Sequence, residues 1–185
     1  MKKYHAKTII TPRLKIRMPK ITDAEDMFNN WASDSEVTKY ITWEPHPTVE
    51  VTRMILSMWI NLDSSNKSIE WVIVDKASLK TIGSINVYRI DQSTKSCEIG
   101  FCLSQKYWNQ GLMSEAVFYV LKHVFSIGIK SVMGSHIREN VASGKVMIKN
   151  HMRYSHSVEG TSNRLGDVIF DYYVVTVDDW KLKVR

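Results

Sequence analysis

One stretch of the chain combines the residue types of an anion site: Tyr107-Trp108-Asn109-Gln110-Gly111-Leu112-Met113-Ser114-Glu115-Ala116, set between a strand and the start of a long helix. The first amides of a helix have no partner within it and favour an anion, and a glycine there lets a diphosphate approach the backbone closely. An ordinary turn explains one glycine equally well, so the order of the surrounding elements must decide. Neither Gly-x-x-x-x-Gly-Lys-Ser/Thr nor Gly-x-Gly-x-x-Gly occurs, which argues against a P-loop or a dinucleotide site. Downstream, Lys145 and Lys149 are spaced i,i+4 on one helix face, where they can meet a phosphate or stay solvated. His123, His136, His151 and His156 show no metal-ligand spacing with a carboxylate or cysteine, so no metal is expected. Cys97 and Cys102 are an odd number of positions apart, on opposite faces of any strand, and cannot readily pair with each other.

The elements that must position these groups follow from periodicity. Leu14, Ile16 and Met18 alternate with charged residues as a first strand. Thr22 and Glu25 form a capping-box pattern ahead of Ala24, Met27, Phe28 and Trp31, predicting a short helix. After Glu44-Pro45-His46-Pro47, a second helical stripe runs through Val51, Met54, Ile55, Met58, Trp59 and Leu62, ending near Asp63-Ser64-Ser65-Asn66. Ile69, Trp71 and Ile73 alternate, a turn follows at 75–80, and residues 82–90 complete a hairpin. Cys97, Ile99, Phe101 and Leu103 make one face of a fourth strand, with Glu98, Gly100 and Cys102 on the other. Gly111 then opens the longest amphipathic pattern, Met113, Ala116, Val117, Val120, Leu121, Val124 and Phe125, ended by Gly128. Residues 131–138 predict a fifth strand, Asn140 caps a helix of about ten residues, and 167–177 predict a last strand. This order implies an α+β sheet whose second half contains a crossover helix.

Composition bounds the rest. The chain has 185 residues, 44% of them apolar, with 25 Lys+Arg against 19 Asp+Glu. That predicts a single domain over 1–185 with a substantial core. No apolar run reaches the roughly 18 residues of a membrane span, and MKKYHAKTIITPR lacks the apolar stretch of a signal peptide, so a cytoplasmic address is the expectation. The net charge of +6 is spread along the chain without a basic cluster. This argues against nucleic acid as the main ligand and fits an anionic small molecule equally well.

Three ordered segments then carry a resemblance: TPRLKIRMPKITDAEDMFNNWASDSEVTKYI, CEIGFCLSQKYWNQGLMSEA and ENVASGKVMIKNHM. Over nearly the whole chain the sequence resembles the GNAT superfamily of N-acetyltransferases, in particular its ribosomal-protein N-terminal acetyltransferases and their small-molecule relatives. The resemblance implies a mixed, mostly antiparallel sheet flanked by helices, with a splay between the fourth and fifth strands. Trp108, Gly111 and Met113 stand at the anchor positions of the family's pyrophosphate loop; Asn109 stands where glycine is common, and Met113 replaces a small residue. The implied co-substrate is acetyl-CoA and the implied partner a primary amine, on a small molecule or a protein N-terminus, attacking the thioester directly.

Carried over residue by residue, pantetheine is expected on backbone groups of Phe101, Cys102 and Leu103, with the Leu103 amide as oxyanion donor. The diphosphate is expected on Trp108, Asn109, Gln110, Gly111, Leu112, Met113 and Ser114, pantetheine also on Asn140 and Ser143, and the 3′-phosphate on Lys145 and Lys149. Glu98 either accepts the amine's proton or pairs with a surface base. Ser143 is the expected acid for the departing thiolate, or bonds to its own helix, because Met147 stands where many relatives have tyrosine. Trp43 and His46, with Glu98, are expected beside the acceptor. A longer-acyl transferase, a CoA-binding sensor or interaction module without turnover, and a nucleic-acid module are the alternatives; a homodimer is the expectation from symmetry frequencies.

Overall fold

The two hydrophobic periods resolve into one sheet with helices on both faces. The computed structural model describes residues 7–62 and 67–183. Its strands are β1 (Ile9–Ile10), β2 (Leu14–Arg17), β3 (Ile69–Asp75), β4 (Thr81–Asp91), β5 (Ser96–Leu103), β6 (Ser131–Ile137), β7 (Arg153–Ser162) and β8 (Gly166–Thr176). Its helices are α1 (Ala24–Met27), α2 (Ser35–Thr38), α3 (Val49–Leu62), α4 (Leu112–Ser126), α5 (Val141–Lys149) and α6 (Val177–Lys183), with a π-helical turn, Phe28–Ala32, continuing α1. Among the described residues no helix is long and apolar enough to cross a membrane. The predicted helix end at Asp63–Asn66 lies outside the described residues, as do residues 1–6.

The sheet order is β1-β2-β3-β4-β5-β6-β8-β7, and every neighbouring pair is antiparallel except β5 and β6. A parallel pair needs a long crossover, and α4 supplies it. The expected α+β architecture is therefore present, and the fourth and fifth strands read from sequence are β5 and β6, displaced by one in the count because β1 precedes them. Their pairing runs from Ser96↔Ser131 to Ile99↔Gly134 and stops, whereas β5 stays paired with β4 as far as Leu103. Beyond Ile99 the two strands part.

The apolar stripe of α4 explains why the crossover packs where it does. Met113, Ala116, Val117, Val120, Leu121, Val124 and Phe125 are all buried, against Cys97, Ile99 and Leu103 of β5 among others. Each large side chain so buried contributes roughly 1.5–3 kcal/mol. The opposite sheet face carries a smaller cluster of Ala24, Met27, Trp31, Ala32, Val37 and Leu56 from the first three helices and the π turn.

Three local expectations are corrected. The Thr22/Glu25 box does not start the first helix; Asp23 does the work, because the half-buried Arg17 needs a carboxylate. Arg17 donates to both Asp23 oxygens at 2.6 and 2.8 Å, and the Lys20 amide and the Thr81 hydroxyl donate to the same group at 2.7 and 3.1 Å. In α3 the buried face is Thr52 and Leu56, while Met54 and Met58 are exposed; the helix has too few partners above it to bury the whole stripe. Strand β7 was not predicted, since its residues are exposed on both faces and show no alternation.

Burial alone would raise the Asp23 carboxyl, but the hydrogen bonds from Arg17, Lys20 and Thr81 and the Arg17 charge outweigh it, and the net direction is down. A depressed carboxylate stabilises the fold fully above its unfolded pKa and loses that contribution as pH falls through the folded one. Asp23→Asn should cost about 3 kcal/mol at pH 7, because it leaves Arg17 without its counter-charge. Urea titrations across pH should show that the parent's advantage shrinks only below the ordinary aspartate range, near ~3.9; a pH-independent difference would remove the ion pair as its source.

Candidate active site: a cleft at the parted strands

A strand turns the backbone groups of successive residues to alternate sides, so the register decides what β5 offers to the gap. The Ser104 amide donates to the Ile82 carbonyl at 2.8 Å, toward β4, and the Lys95 carbonyl accepts from Lys130 at 2.7 Å, on the β6 side. By that parity the groups of Phe101 and Leu103 face the gap, while those of Cys102 face β4. The Leu103 carbonyl is taken by the Trp108 indole N–H at 2.7 Å. The Phe101 N–H and C=O and the Leu103 N–H are left without a strand partner. Cys102 lines the cleft and bonds through its Sγ to the Ser84 hydroxyl at 3.3 Å; its backbone does not point where pantetheine was expected.

The loop after β5 is held from below. Arg13 Nε lies 2.7 Å from Glu115 Oε2, Arg13 Nη1 donates to the Gln110 carbonyl at 2.9 Å, and the Arg13 amide and Thr11 hydroxyl donate to Glu115 Oε1 at 3.0 and 2.5 Å. Burial would raise the Glu115 carboxyl, yet these Thr11 and Arg13 hydrogen bonds bring it below its ordinary value. Asn109 and Gly111 take φ of 59° and 74°. Asparagine tolerates this region, which explains how it fills a place where the family commonly has glycine. A Cβ on Gly111 would meet only Arg13 Nη2, at 3.7 Å; glycine is favoured there by backbone angle, not by crowding. The amides of Leu112, Met113 and Ser114 then form the open end of α4.

The other wall is α5. Asn140 caps it by accepting from the Ser143 amide at 3.3 Å. No hydrogen bond to the Ser143 hydroxyl occurs among the described residues, so its bonding to its own helix is not observed. Met147 is buried against Gly134 and offers no proton. Buried Asn150 donates to the Ser114 carbonyl at 3.1 Å, tying the end of α5 to the first turn of α4.

Between these walls lies a cleft of about 670 Å³. Phe101, Cys102, Leu103, Trp108, Asn109, Gly111, Met113, Ser114, Asn140, Ser143, Lys145 and Lys149 all line it; Gln110 and Leu112 do not. Gln110 is held by Arg13, and Leu112 is buried in the core. Sequence reasoning missed the facing wall, Glu36, Val37, Lys39, Tyr40 and Ile41, which carries no periodic signal. It is braced by Arg164 at the β7–β8 turn, which donates to the Thr38 hydroxyl at 2.8 Å and approaches Glu44 at 3.7 Å. The chemistry of this lining suits a phosphorylated, amide-bearing ligand: unpaired strand groups on one side, helix amides and two lysines on the other.

The predicted acceptor residues lie outside the cleft. His46 accepts or donates at 2.8 Å to Thr52, sits against the Trp43 ring at 5.1 Å, and is lowered in pKa by burial. Glu98 accepts from Arg89 at 2.8 Å and from the Tyr88 hydroxyl. Burial, with the Glu98 charge, pushes that hydroxyl up to about 12. Of the two roles open to Glu98, pairing with a surface base is the one the geometry displays.

The profile of an acetyltransferase (GNAT) domain matches residues 13–153. An uncharacterized N-acetyltransferase, p20, of Bacillus licheniformis is 30% identical over 141 residues, covering 76% of this chain and 79% of that protein. Among solved structures, a GNAT-family acetyltransferase from Bacillus anthracis superposes with a TM-score of 0.81 at 25% identity, covering 92% of this chain and 98% of that one. RimL, a ribosomal L7/L12 alpha-N-protein acetyltransferase solved with coenzyme A, superposes with a TM-score of 0.84 at 18% identity, covering 94% and 99%.

Gly111→Val should strain the loop and block close approach of a diphosphate, weakening CoA at least tenfold, about 1.4 kcal/mol. Calorimetry on the folded variant is the test, and parental affinity would dissociate this loop from cofactor binding.

Proposed function

The chain belongs to the GNAT acetyltransferase family and is an acetyl-CoA-dependent acetyltransferase; from that premise we propose that it acetylates a primary amine, on a small molecule or a protein N-terminus, by direct attack within a ternary complex. The observation that carries this reading is the parting of β5 from β6 beyond Ile99, with the groups of Phe101 and Leu103 turned into a cleft that ends at the amides of α4. Bound acetyl-CoA supplies an acyl group activated as a thioester. Phe101 and Leu103 hold its amide-bearing arm as an added strand. Gly111 and the α4 amides receive the diphosphate, and Lys145 and Lys149 neutralise the remaining phosphate.

The Leu103 N–H is a fixed donor for the oxygen that gains charge when the carbonyl carbon becomes tetrahedral. Ser143, with its hydroxyl otherwise unengaged and its position on the cleft wall, donates a proton to the departing thiolate. Tyr40 and Ile41, with the β7–β8 turn that Arg164 anchors, border the side from which the acceptor arrives. RimL's acceptor, a protein α-amine, shows the kind of group such a fold can present to its thioester. Glu98 contributes a carboxylate on the acceptor face, oriented by Arg89 and Tyr88.

Thiol release from acetyl-CoA with a panel of small amines and free-amino peptides tests the reading; CoA binding without release from any of them would leave a binding module instead. Because the thiolate is already a tolerable leaving group, with a pKa near the ~8.5 of a thiol, loss of its acid should have a moderate effect. Ser143→Ala should lower kcat roughly 10 to 100-fold, with acetyl-CoA KM nearly unchanged. Its melting curve should match the parent, since Asn140 supplies the cap. A destabilised variant with parental turnover would make Ser143 structural.

A further inference from the structure

The two edges of the sheet are unlike. β1 ends one side with two residues, too short to offer another strand a template, whereas β7 ends the other with ten. Sheet edges are commonly blunted by shortness, by lysine or proline, or by an overlying element. β7 contains neither lysine nor proline, and residues 153–159 are all exposed, so no element among the described residues covers that stretch. Its one irregularity is the bulge between Tyr154 and His156; beyond it the pairing with β8 continues unbroken to Ser162.

Register parity shows which of its backbone groups are spare. The Arg138 amide donates to the Ile169 carbonyl at 2.8 Å, and at the far end of β8 the Val177 amide donates to the Lys130 carbonyl at 2.8 Å. Odd-numbered residues of β8 therefore turn toward β6, and even-numbered ones toward β7. The partners of the latter are His156, Val158, Gly160 and Ser162, which leaves the N–H and C=O of Ser157, Glu159 and Thr161 directed outward. Such a row is a template for a further strand.

The side chains along the row say which strand fits. Ser157 and Glu159 lie on one face, opposite Asp171 and Ile169. There Arg138 reaches out from the end of β6: its Nη2 donates to Asp171 Oδ1 at 2.7 Å and to Ser157 Oγ at 2.9 Å, and its Nε donates to Asp171 Oδ2 at 3.1 Å. Nη1 makes no hydrogen bond among the described residues, and Glu159 enters none of the ion pairs found there. The edge thus carries an unpaired carboxylate and, two residues along, a guanidinium with a spare donor. On the other face Val158 is 44% exposed.

We propose that β7 is a dimer interface, pairing antiparallel with β7 of a second copy about a two-fold axis at Val158. Only a register that opposes outward-directed residues closes backbone hydrogen bonds. Centring it on Glu159 sets like charges directly opposite, which is unfavourable. Centring it on Ser157 brings Glu159 against Ser155, inside the bulge. Centred on Val158, Ser157 opposes the partner's Glu159 and the reverse, each pair exchanging both N–H···O bonds. Each Glu159 then stands beside the spare Nη1 of the partner's Arg138, an ion pair made twice by symmetry. Val158 meets its own copy on the axis, so that side chain is covered as well. Any strand can satisfy the backbone groups; a copy of this one also brings carboxylate and guanidinium to matching positions in both directions. The two sheets become one continuous sheet. The turn after β7 carries Arg164, the brace of the cleft's facing wall, so the interface and the cleft share one hairpin.

Sedimentation velocity of the full chain over a concentration series should show a reversible dimer. Glu159→Arg sets an arginine beside the partner's Arg138 and should weaken the dimer roughly tenfold or more. Glu159→Pro removes only an outward N–H, where an edge strand admits proline, and should be monomeric. Both variants should keep the parental circular dichroism and CoA affinity. Crosslinking tests the register. At Val158→Cys the two Cα atoms of a non-hydrogen-bonded pair stand about 4.5 Å apart, within disulfide range, so added diamide should give a covalent dimer. Thr161→Cys should not, nor should the parent, whose Cys97 is buried and whose Cys102 lines the cleft. A parent that is monomeric at every concentration, a dimer that Glu159→Arg leaves at parental strength, or crosslinking at Thr161→Cys in place of Val158→Cys each overturns the assignment.

Discussion

Every backbone N–H and C=O must find a partner, and this molecule depends on suspending that requirement along one side of one strand. β5 is paired on both sides up to Ile99; beyond it, β4 continues and β6 departs. Parity then leaves only Phe101 and Leu103 in debt on the open side. The Trp108 indole settles the Leu103 carbonyl, so the remaining unmet groups are few and point into one cleft. The rest of the architecture can be understood as holding that edge open: α4 beneath it, α5 beside β6, and the loop between β5 and α4 fixed by Arg13 and Glu115.

The two sheet faces divide the tasks. One bears the large apolar cluster of α4, which fixes the strands and the helix terminus as a unit. The other bears a smaller cluster from the short first helices and leaves part of the sheet accessible. Polar side chains accumulate there: Glu70, Asn86, Tyr88 and Glu98 sit on adjacent strands of that face. A rigid apolar support on one side and a polar working surface on the other follow from the alternation along β4 and β5.

What the sequence revealed was whatever repeats locally. The α4 stripe, the strand ending at Leu103 and the Asn140 cap are set by neighbours three or four positions away, and all are found as expected. Features set by distant partners were hidden. Asp23, not Thr22, organises the first helix because Arg17 from another element selects it. Met54 and Met58 fit a helical stripe but are exposed. β7 shows no apolar alternation because it is an edge strand with both faces exposed. At the cleft, the loop and α5 residues were legible from their order, while the wall at Glu36–Ile41 had no pattern to betray it. The backbone direction of Cys102 depended on register parity, which motif matching does not carry.

Trp108 brings a last point about what substitution means at this site. The residue is 40% exposed, so hydrophobic burial does not account for so large a side chain. What the fold uses is one hydrogen on the indole nitrogen, delivered to the Leu103 carbonyl from five residues away. Phenylalanine would preserve size, aromaticity and shape, and would still leave that oxygen without a donor. A similarity score built on bulk and polarity would rate the exchange as mild. The requirement at this position is for a donor at a particular reach, so chemical resemblance between residues is a poor guide to which of them can stand here.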